Sequence, residues 1–273
     1  MTRSSDAQKR PWTTLNLCLN SIMIETLIEM LCREKGVASP ENLTDRQKAE
    51  YFRALCNVRP PLPANDEFLT LQDRYLTAKS MERGIVDVTR FAYKDSMALW
   101  QGDITRLNSE AIVNACNSAL LGCFQPLHNC IDNVIHSNAG MQVRRDCHNI
   151  MQGSQLPNGE VVVTSAYNLP CRFIFHTVGP IVQNGQPSEK DMLDLTNCYR
   201  SCMEKAGEMG IDSLALCCLS TGVYGYPKDL AAKLAIATVR EWLPRFSDLK
   251  IIFTVYLDAD KTHYERELSR QAE

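Results

Sequence analysis

The sequence lacks the features that mark three large classes of protein. It has no uninterrupted run of about 18 apolar residues, which a membrane-spanning helix needs. It has no internal repeat and no low-complexity tract. Its net charge at pH 7 is only −3, so it has no strong positive field to hold nucleic acid through the phosphates. We therefore expect no membrane and no nucleic-acid partner, and any bound phosphate must be held locally by loop amides and helix ends.

Disulfide bonds and a signal peptide are also not indicated. The chain has 12 cysteines. Several lie within apolar patterns, such as Cys217 and Cys218 in SLALCCLS, where cysteine serves as a small buried hydrophobic residue. The polar, basic residues 1–10 are compatible with a mitochondrial transit peptide but are more typical of a disordered terminus. We expect a reduced, cytoplasmic protein.

The leading third of the chain has helical periodicity and no strand pattern. An extended connector, RPPLP, separates the second predicted helix from the third, because prolines exclude helix there. The predicted helices cover about residues 15–35, 44–56 and 68–80. We predict that residues 1–83 form an N-terminal helical extension, with the first ~12 residues disordered, packed on a main domain of residues 84–273.

The main domain alternates short apolar strands with amphipathic helices. Strands are predicted at 85–88, 97–100, 111–113, 161–165, 173–178, 214–219 and 251–257, and helices at 131–137, 141–151, 189–207, 228–242 and 261–270. This alternation predicts an α/β fold in which helices cover both faces of a largely parallel or mixed sheet. Open sheets of this kind bind ligands at the carboxyl ends of their strands.

Two asparagines, Asn114 and Asn117, follow the predicted strand 111–113. A single asparagine there would normally satisfy its own turn. Two amides at a strand end can both donate and accept hydrogen bonds towards a ribose, so the pair is a candidate binding element.

The loop after these asparagines carries Cys123, His128 and Cys130. Thiolate and imidazole ligands suit zinc (Zn2+), and three ligands leave one position open for water or substrate. Two alternatives remain: three unrelated side chains, or a purely structural site in which Cys147 or His148 is the fourth ligand. Because two thiolates neutralise the ion, we rank orienting ribose hydroxyls or water above generating free hydroxide.

Two further elements carry candidate ligand-binding residues. Asp103, in WQGDIT, is either a turn cap or an acceptor for an exocyclic amine. The string STGVYGYP, residues 220–227, is either an ordinary strand-to-helix connection with Pro227 at the first helical position or a pyrophosphate loop. In the second interpretation, Gly222 and Gly225 expose successive N–H groups at a helix N-terminus. It is not a Walker loop, since no Gly-Lys-Ser/Thr follows.

Several of these strings resemble the macrodomain family: GDIT, IVNACN, DNVIH…AG and STGVYGYP. Members of that family bind ADP-ribose and often hydrolyse it from proteins. Where most members have a run of glycines, this chain has Cys-x4-His-x-Cys, which resembles the zinc-containing macrodomain subfamily with ADP-ribosyl-protein hydrolase activity. NVRPP and QDRYL resemble the helical extension of that subfamily.

The resemblance implies a three-layer α/β/α macrodomain with a mixed central sheet. It implies that Asp103 and the Ile104 amide hold adenine, and that Asn117 with the zinc orients the distal ribose. Asp132, at a predicted helix start, would position or activate water; the alternative is a helix cap, and His136 is the weaker catalytic candidate. The implied pyrophosphate loop consists of Ser220, Thr221, Gly222, Val223, Tyr224, Gly225 and Tyr226, with Tyr224 shielding the ribose and phosphates.

The function that this resemblance implies is zinc-dependent removal of ADP-ribose from mono-ADP-ribosylated protein side chains. Asn117 and Asp132 are then the catalytic residues, and ADP-ribose with the modified protein is the partner. Three alternatives stay open: a non-enzymatic ADP-ribose reader, a deacetylase of O-acetyl-ADP-ribose, and an ordinary α/β protein with a structural zinc.

Overall fold

The computed structural model describes residues 11–270. The expectations of a disordered terminus or a transit peptide at residues 1–10 lie outside the described residues. Among the described residues, none of the helices is long and apolar enough to cross a membrane.

Three N-terminal helices precede the sheet, as predicted: α1 (Pro11–Lys35), α2 (Asp45–Val58) and α3 (Asp66–Arg83). Gly36 follows α1 with φ +69°, a conformation that glycine adopts without steric cost. A reciprocal capping box between Thr44 and Gln47 starts α2. The three helices share a core of their own, around Leu27, Phe52 and Tyr75. We call α1–α3 the N-terminal extension.

As far as the chain is described, to residue 270, the main domain has six strands and five further helices. The strands are β1 (Met97–Gln101), β2 (Ala111–Ala115), β3 (Val161–Ser165), β4 (Phe173–Thr177), β5 (Ser213–Leu216) and β6 (Lys250–Val255). The helices are α4 (Ile131–Ala139), α5 (Met141–Met151), α6 (Glu189–Glu208), α7 (Lys228–Trp242) and α8 (Asp258–Ser269). Three short 3-10 helices cover Val88–Arg90, Ile104–Arg106 and Leu243–Arg245.

The strand order is β1-β6-β5-β2-β4-β3, and only β3 runs antiparallel to its neighbour. The mixed sheet and the α/β/α layers therefore confirm the predicted fold. The central strands are apolar and buried on both faces, with Ile112, Ile174, Leu214 and Ile252 fully inaccessible. Because β1, β5 and β2 are parallel, the loops that follow them emerge at the same edge of the sheet.

Several predicted elements were wrong in extent; the last helix, for example, begins at Asp258 and not at 261. Residues 85–88 form no strand but one isolated bridge, Val86 to Leu107, since the Asp87 side chain accepts from the Thr89 N–H and starts a 3-10 turn. The strand predicted at 214–219 ends at Leu216, because the chain then leaves the ladder for the following loop. Helix α7 begins at the predicted residue, Lys228, and Pro227 is its N-cap, one residue before the first helical position that one interpretation of STGVYGYP gave it.

Candidate functional site

A buried polar chain starts at Asn114, which lies in β2 opposite His176 of β4. The Asn114 Nδ2 donates to Asp132 Oδ1 (2.8 Å) and lies 3.2 Å from His176 Nδ1. An amide nitrogen only donates, so His176 Nδ1 accepts and its Nε2 carries the proton. That Nε2 lies 2.9 Å from Thr164 Oγ1. These hydrogen-bonded side chains together fix the tautomer of His176 and the orientation of the Asn114 amide that holds the Asp132 carboxylate.

Asp132 is the second residue of α4 and is 5% exposed. Burial raises its pKa to about 6, although the hydrogen bond from Asn114 and the charge of Arg144 act in the opposite direction. His136 lies one turn later, with Nε2 3.4 Å from Asp132 Oδ1. Burial lowers the pKa of His136 to about 3, so this imidazole is neutral and the contact is no ion pair. At neutral pH Asp132 is thus a buried carboxylate that accepts from the Asn114 amide, contacts the neutral His136 imidazole and is influenced by the charge of Arg144.

The three candidate metal ligands lie close together. The Cys123 Sγ, His128 Nδ1 and Cys130 Sγ atoms all lie within 4.8 Å of one another, and the first two are 3.5 Å apart. All three side chains are partly accessible. These spacings and donor types fit a single tetrahedral zinc ion. We call residues 123–130 the cysteine loop.

The proposed fourth ligands for a purely structural site are not at the cluster. Cys147 is buried, with Sγ 3.8 Å from His176 Nε2, and His148 is exposed on α5. No further cysteine, histidine or carboxylate of the described residues joins the three. The version of the site with Cys147 or His148 as a ligand was therefore wrong, because helix α5 directs both side chains elsewhere.

Cys130 is also the N-cap of α4, where its Sγ accepts from the Asn133 N–H at 3.4 Å. Burial raises the pKa of the free Cys130 thiol to about 11. Binding of a metal to this sulfur would therefore release a proton, and the helix N-terminus favours the resulting thiolate.

The loop after β5 is a tight turn closed by its own main chain; we call residues 220–226 the glycine loop. The Tyr226 N–H donates to the Ser220 carbonyl (3.0 Å), and the Gly225 N–H donates to the Gly222 carbonyl (3.0 Å). The prediction that Gly225 exposes its N–H was therefore wrong. The N–H groups of residues 220–224 make no hydrogen bond within the described residues, so these five are the available donors.

The glycine loop rests against the segment that follows β4. The Val182 N–H donates to the Tyr224 carbonyl at 2.7 Å. A Cβ on Gly179 would lie 2.1 Å from Ser220 Oγ, and one on Gly225, where φ is +70°, would lie 2.8 Å from the Val182 carbonyl oxygen. Only glycine permits this close packing.

Asp103 follows β1 and caps the 3-10 helix Ile104–Arg106. Its Oδ1 accepts from the Thr105 N–H (3.0 Å) and hydroxyl (2.7 Å). Its Oδ2 has a longer contact, 3.5 Å, with Arg83 Nη1 of the N-terminal extension. The capping role is thus present, and Oδ2 retains capacity to accept from a ligand.

The two asparagines have different surroundings. Asn117 holds the turn before Cys123: its Nδ2 donates to the Gly122 carbonyl (3.1 Å) and its Oδ1 accepts from the Ala119 N–H (3.1 Å). Asn114, to which the resemblance assigned no separate role, is the asparagine bonded to Asp132. Sequence reasoning therefore missed the direct partner of the candidate catalytic carboxylate.

Sequence reasoning also missed Arg144, a buried cation beneath the site. A Cβ on Gly122 would lie 3.2 Å from its Nη2, and the Phe124 ring stacks 4.4 Å from its guanidinium carbon. A signal was available, because Arg144 shares the core-facing side of α5 with Cys147 and Met151 at helical spacing.

Comparisons with known proteins agree with the fold. The profile described as Macro domain matches residues 113–235. A protein-ADP-ribose hydrolase of Treponema medium is 43% identical over 255 residues, which cover 89% of this chain and 97% of that protein. The protein-ADP-ribose hydrolase of Staphylococcus aureus strain MRSA252 is 40% identical over 263 residues, covering 93% and 98%.

The chain belongs to the macrodomain family. Among solved macrodomains, that of Trypanosoma brucei in complex with ADP superimposes with a TM-score of 0.62 at 26% identity, covering 81% of this chain and 97% of that one. The Oceanobacillus iheyensis macrodomain with ADP gives a TM-score of 0.56 at 36% identity, with 62% and 88% covered. The hydrolases of the two bacteria match over nearly their whole length, so their similarity to this macrodomain is not confined to the residues that the family profile matches.

Proposed function

We propose that this macrodomain is a zinc-dependent hydrolase that removes ADP-ribose from mono-ADP-ribosylated protein side chains. Relatives with the name protein-ADP-ribose hydrolase match almost the whole chain at 40–43% identity. The observation that carries the proposal is the junction of the cysteine loop and α4. The three candidate ligand atoms lie within 4.8 Å of one another. The last of these ligands is Cys130, the N-cap of α4, and the Asp132 carboxylate follows two residues later in the same helix. A module that only binds ADP-ribose needs neither group.

In this proposal ADP-ribose lies along the carboxyl-terminal edge of the sheet, from the loop after β1 to the loop after β2. Asp103 Oδ2 and the Ile104 N–H hold adenine. The free N–H groups of the glycine loop, Ser220 to Tyr226, hold the pyrophosphate. Asn117 would orient the distal ribose, and Cys123, His128 and Cys130 would hold a metal with a position open to a ribose hydroxyl. The order of these loops along the parallel strands supports the assignment, because each follows the carboxyl end of its strand.

Cys123, His128 and Cys130 would hold the zinc ion, which supplies a Lewis-acidic position open to water or a ribose hydroxyl. Two thiolates neutralise its formal charge, which favours a role in orientation. Proton removal from water is then the task of Asp132, whose raised pKa of about 6 leaves it ionised at pH 7 and a better base than an ordinary carboxylate.

Asn114 and His176 hold this base in place. The Asn114 amide fixes one carboxylate oxygen, while the other remains to accept the proton as water attacks the anomeric carbon. Bond cleavage at that carbon passes through an oxocarbenium-like state, which a nearby carboxylate also stabilises.

The decisive experiment is release of ADP-ribose from an automodified protein by native enzyme, zinc-stripped enzyme and the Cys123→Ala and Cys130→Ala variants, each checked for folding. Cys32→Ala, in α1 and outside the cluster, is the control. We expect folded metal-free protein to bind ADP-ribose but to release none from the modified protein. Tight binding by the native protein without release from acidic, serine or cysteine linkages would instead establish a reader. Release of acetate from O-acetyl-ADP-ribose alone would establish the deacetylase.

A further inference from the structure

The cysteine loop has little structure of its own. Its one internal main-chain hydrogen bond joins the His128 N–H to the Gln125 carbonyl at 3.3 Å. Leu127 has φ +57°, and the side chains of Phe124 and Leu127 are exposed. Local bonding therefore does not determine the direction in which the ligand side chains point.

Arg53 of α2 supplies one support from outside the loop. Its Nη2 donates to the carbonyl of His128 (2.8 Å) and to Asn133 Oδ1 (2.7 Å). Asn133 is fully buried, and its Nδ2 donates in turn to the Gln125 carbonyl at 3.0 Å. Arg53 thus holds a ligand residue directly and the start of the same loop through Asn133.

Asn57, one helical turn after Arg53, supplies the second support. It is 2% exposed. Its Oδ1 accepts from the Leu127 N–H (3.0 Å), and its Nδ2 donates to Ser137 Oγ of α4 (3.0 Å). A side chain at this position joins the loop to two helices, one on each side of the domain boundary.

The two supports act on either side of the same ligand. The Leu127 N–H belongs to the peptide group before Leu127, and the His128 carbonyl belongs to the peptide group after His128, so the two contacts bracket residues 127 and 128. The peptide group between them is held by the His128 N–H, which donates to the Gln125 carbonyl (3.3 Å), so the main chain on both sides of the His128 Cα is restrained while its Nδ1 lies 3.5 Å from Cys123 Sγ. The contacts therefore control the geometry of the ligand set and do more than attach α2 to the domain.

Arg144 supplies a third contact between the N-terminal extension and the cysteine loop. The Arg144 Nη1 donates to the carbonyl of Cys56 (2.9 Å) and to that of Arg59, near the end of α2, while the Phe124 ring of the cysteine loop covers the same guanidinium. One buried cation thus contacts both the N-terminal extension and the loop.

We propose that helix α2 of the N-terminal extension is part of the metal site, with Arg53 and Asn57 as positioning residues that hold the cysteine loop in its ligand-binding geometry. The inference rests on the proposed function, in which this loop binds zinc. Groups that orient metal ligands from outside the ligand set typically contribute 10- to 100-fold in metal affinity, and we expect an effect of roughly that size here.

The test compares full-length Arg53→Gln, Asn57→Ala and the double variant with native protein. Arg46→Gln is the matched control, since Arg46 lies on the same helix, carries the same charge and pairs with Glu50 at the surface. Zinc affinity is measured by competition with a chromophoric chelator, and the absorption spectrum of the cobalt-substituted protein reports ligand geometry. We expect the double variant to lose roughly 10- to 100-fold in zinc affinity and to show an altered cobalt spectrum, with the control unchanged.

Amide hydrogen exchange of residues 123–130 in metal-free, folded protein separates this inference from the zinc proposal. Faster exchange of the Leu127 N–H in Asn57→Ala, and of the whole loop in the double variant, supports positioning by α2 even if native protein binds no zinc. Native exchange rates in the folded double variant would overturn the inference whatever the zinc result. Because each single variant keeps the other support, one of them remains available if the double variant does not fold.

Discussion

The cysteine loop and the glycine loop border the same site but are held in opposite ways. The glycine loop is closed by hydrogen bonds within residues 220–226 and rests on Val182, about 40 positions earlier in the chain. The cysteine loop is held by Arg53 and Asn57, which are 75 and 70 positions from the groups they bind. A loop of the first kind carries its conformation in its own string of residues. A loop of the second kind acquires its conformation only when another element packs against it.

The largest expected effect is on the rate of ADP-ribose release, and it tests whether the catalytic base lies on the cysteine-loop side of the site. Asp132→Asn keeps the side-chain shape and the acceptor for Asn114 but removes the base. We expect the rate of ADP-ribose release to fall by roughly 10²–10⁴ while ADP-ribose affinity stays close to the native value. Asp229→Asn, in the first turn of α7, is the control. A near-native rate in Asp132→Asn would remove this residue from the mechanism.

The next variant breaks the support beneath the cysteine loop. Arg144→Met removes the donor to the carbonyls of Cys56 and Arg59 and the cation under Phe124. Because buried acceptors are left without partners, we expect the free energy of unfolding to fall by about 2–4 kcal/mol. Exposed Arg145→Met, the next residue, should change it little. Equal stability of the two variants in urea titrations would contradict a structural role for Arg144.

The corresponding change in the glycine loop is Gly225→Ala. Residue 225 has φ +70°, and the new methyl would approach the Val182 carbonyl at 2.8 Å. We expect about 1–2 kcal/mol of destabilisation from the left-handed backbone, with loss of ADP-ribose affinity but native zinc affinity. Gly222→Ala is the matched control for stability, since its Cβ meets nothing within 4 Å. A zinc affinity lowered by Gly225→Ala would show that the two loops are not independent.

The last expected effect concerns the dependence of stability on pH. Burial lowers the pKa of His136 to about 3 and that of His176 well below the ordinary value near 6.5. Both imidazoles therefore bind protons more readily in the unfolded chain, so their contribution to stability is present above pH 6.5 and is lost as the pH falls towards the folded pKa. The slope is up to about 1.4 kcal/mol per pH unit for each group.

Denaturant titrations between pH 7 and pH 4.5 measure this slope. His176→Gln should flatten it, whereas His148→Gln, at an exposed position of α5, should leave it native. An unchanged slope in His176→Gln would mean that this imidazole already binds a proton in the folded protein.

Most secondary structure was predictable because apolar periodicity reports burial directly. The helices α5 and α7 begin and end at the predicted residues. The predicted strand at 85–88 failed because a side-chain cap, Asp87 to Thr89, competes with strand pairing. The extent of β5 was overestimated because apolar residues continue past the point where β2 and β6 offer partners.

The candidate site also has features that the sequence predicts and features that it does not. The cysteine cluster was predictable, since three ligands within eight residues lie close in any compact loop. The partnership of Asn114 with Asp132 was not, because it depends on the β2–β4 register that sets Asn114 opposite His176. The partners of Arg53, Asn57 and Arg144 were equally unpredictable, although the burial of Arg144 was not, since each of these contacts joins residues 70 or more positions apart.

The sequence by itself determined the α/β fold, the two loops and the residue types at the site, because periodicity, glycine positions and ligand spacing are local properties. Only the tertiary structure decided which amide holds Asp132, which N–H groups of the glycine loop stay free, and which helix holds the cysteine loop. Those outcomes depend on strand register and on packing between distant elements, and the energy of such contacts is absent from any short stretch of chain.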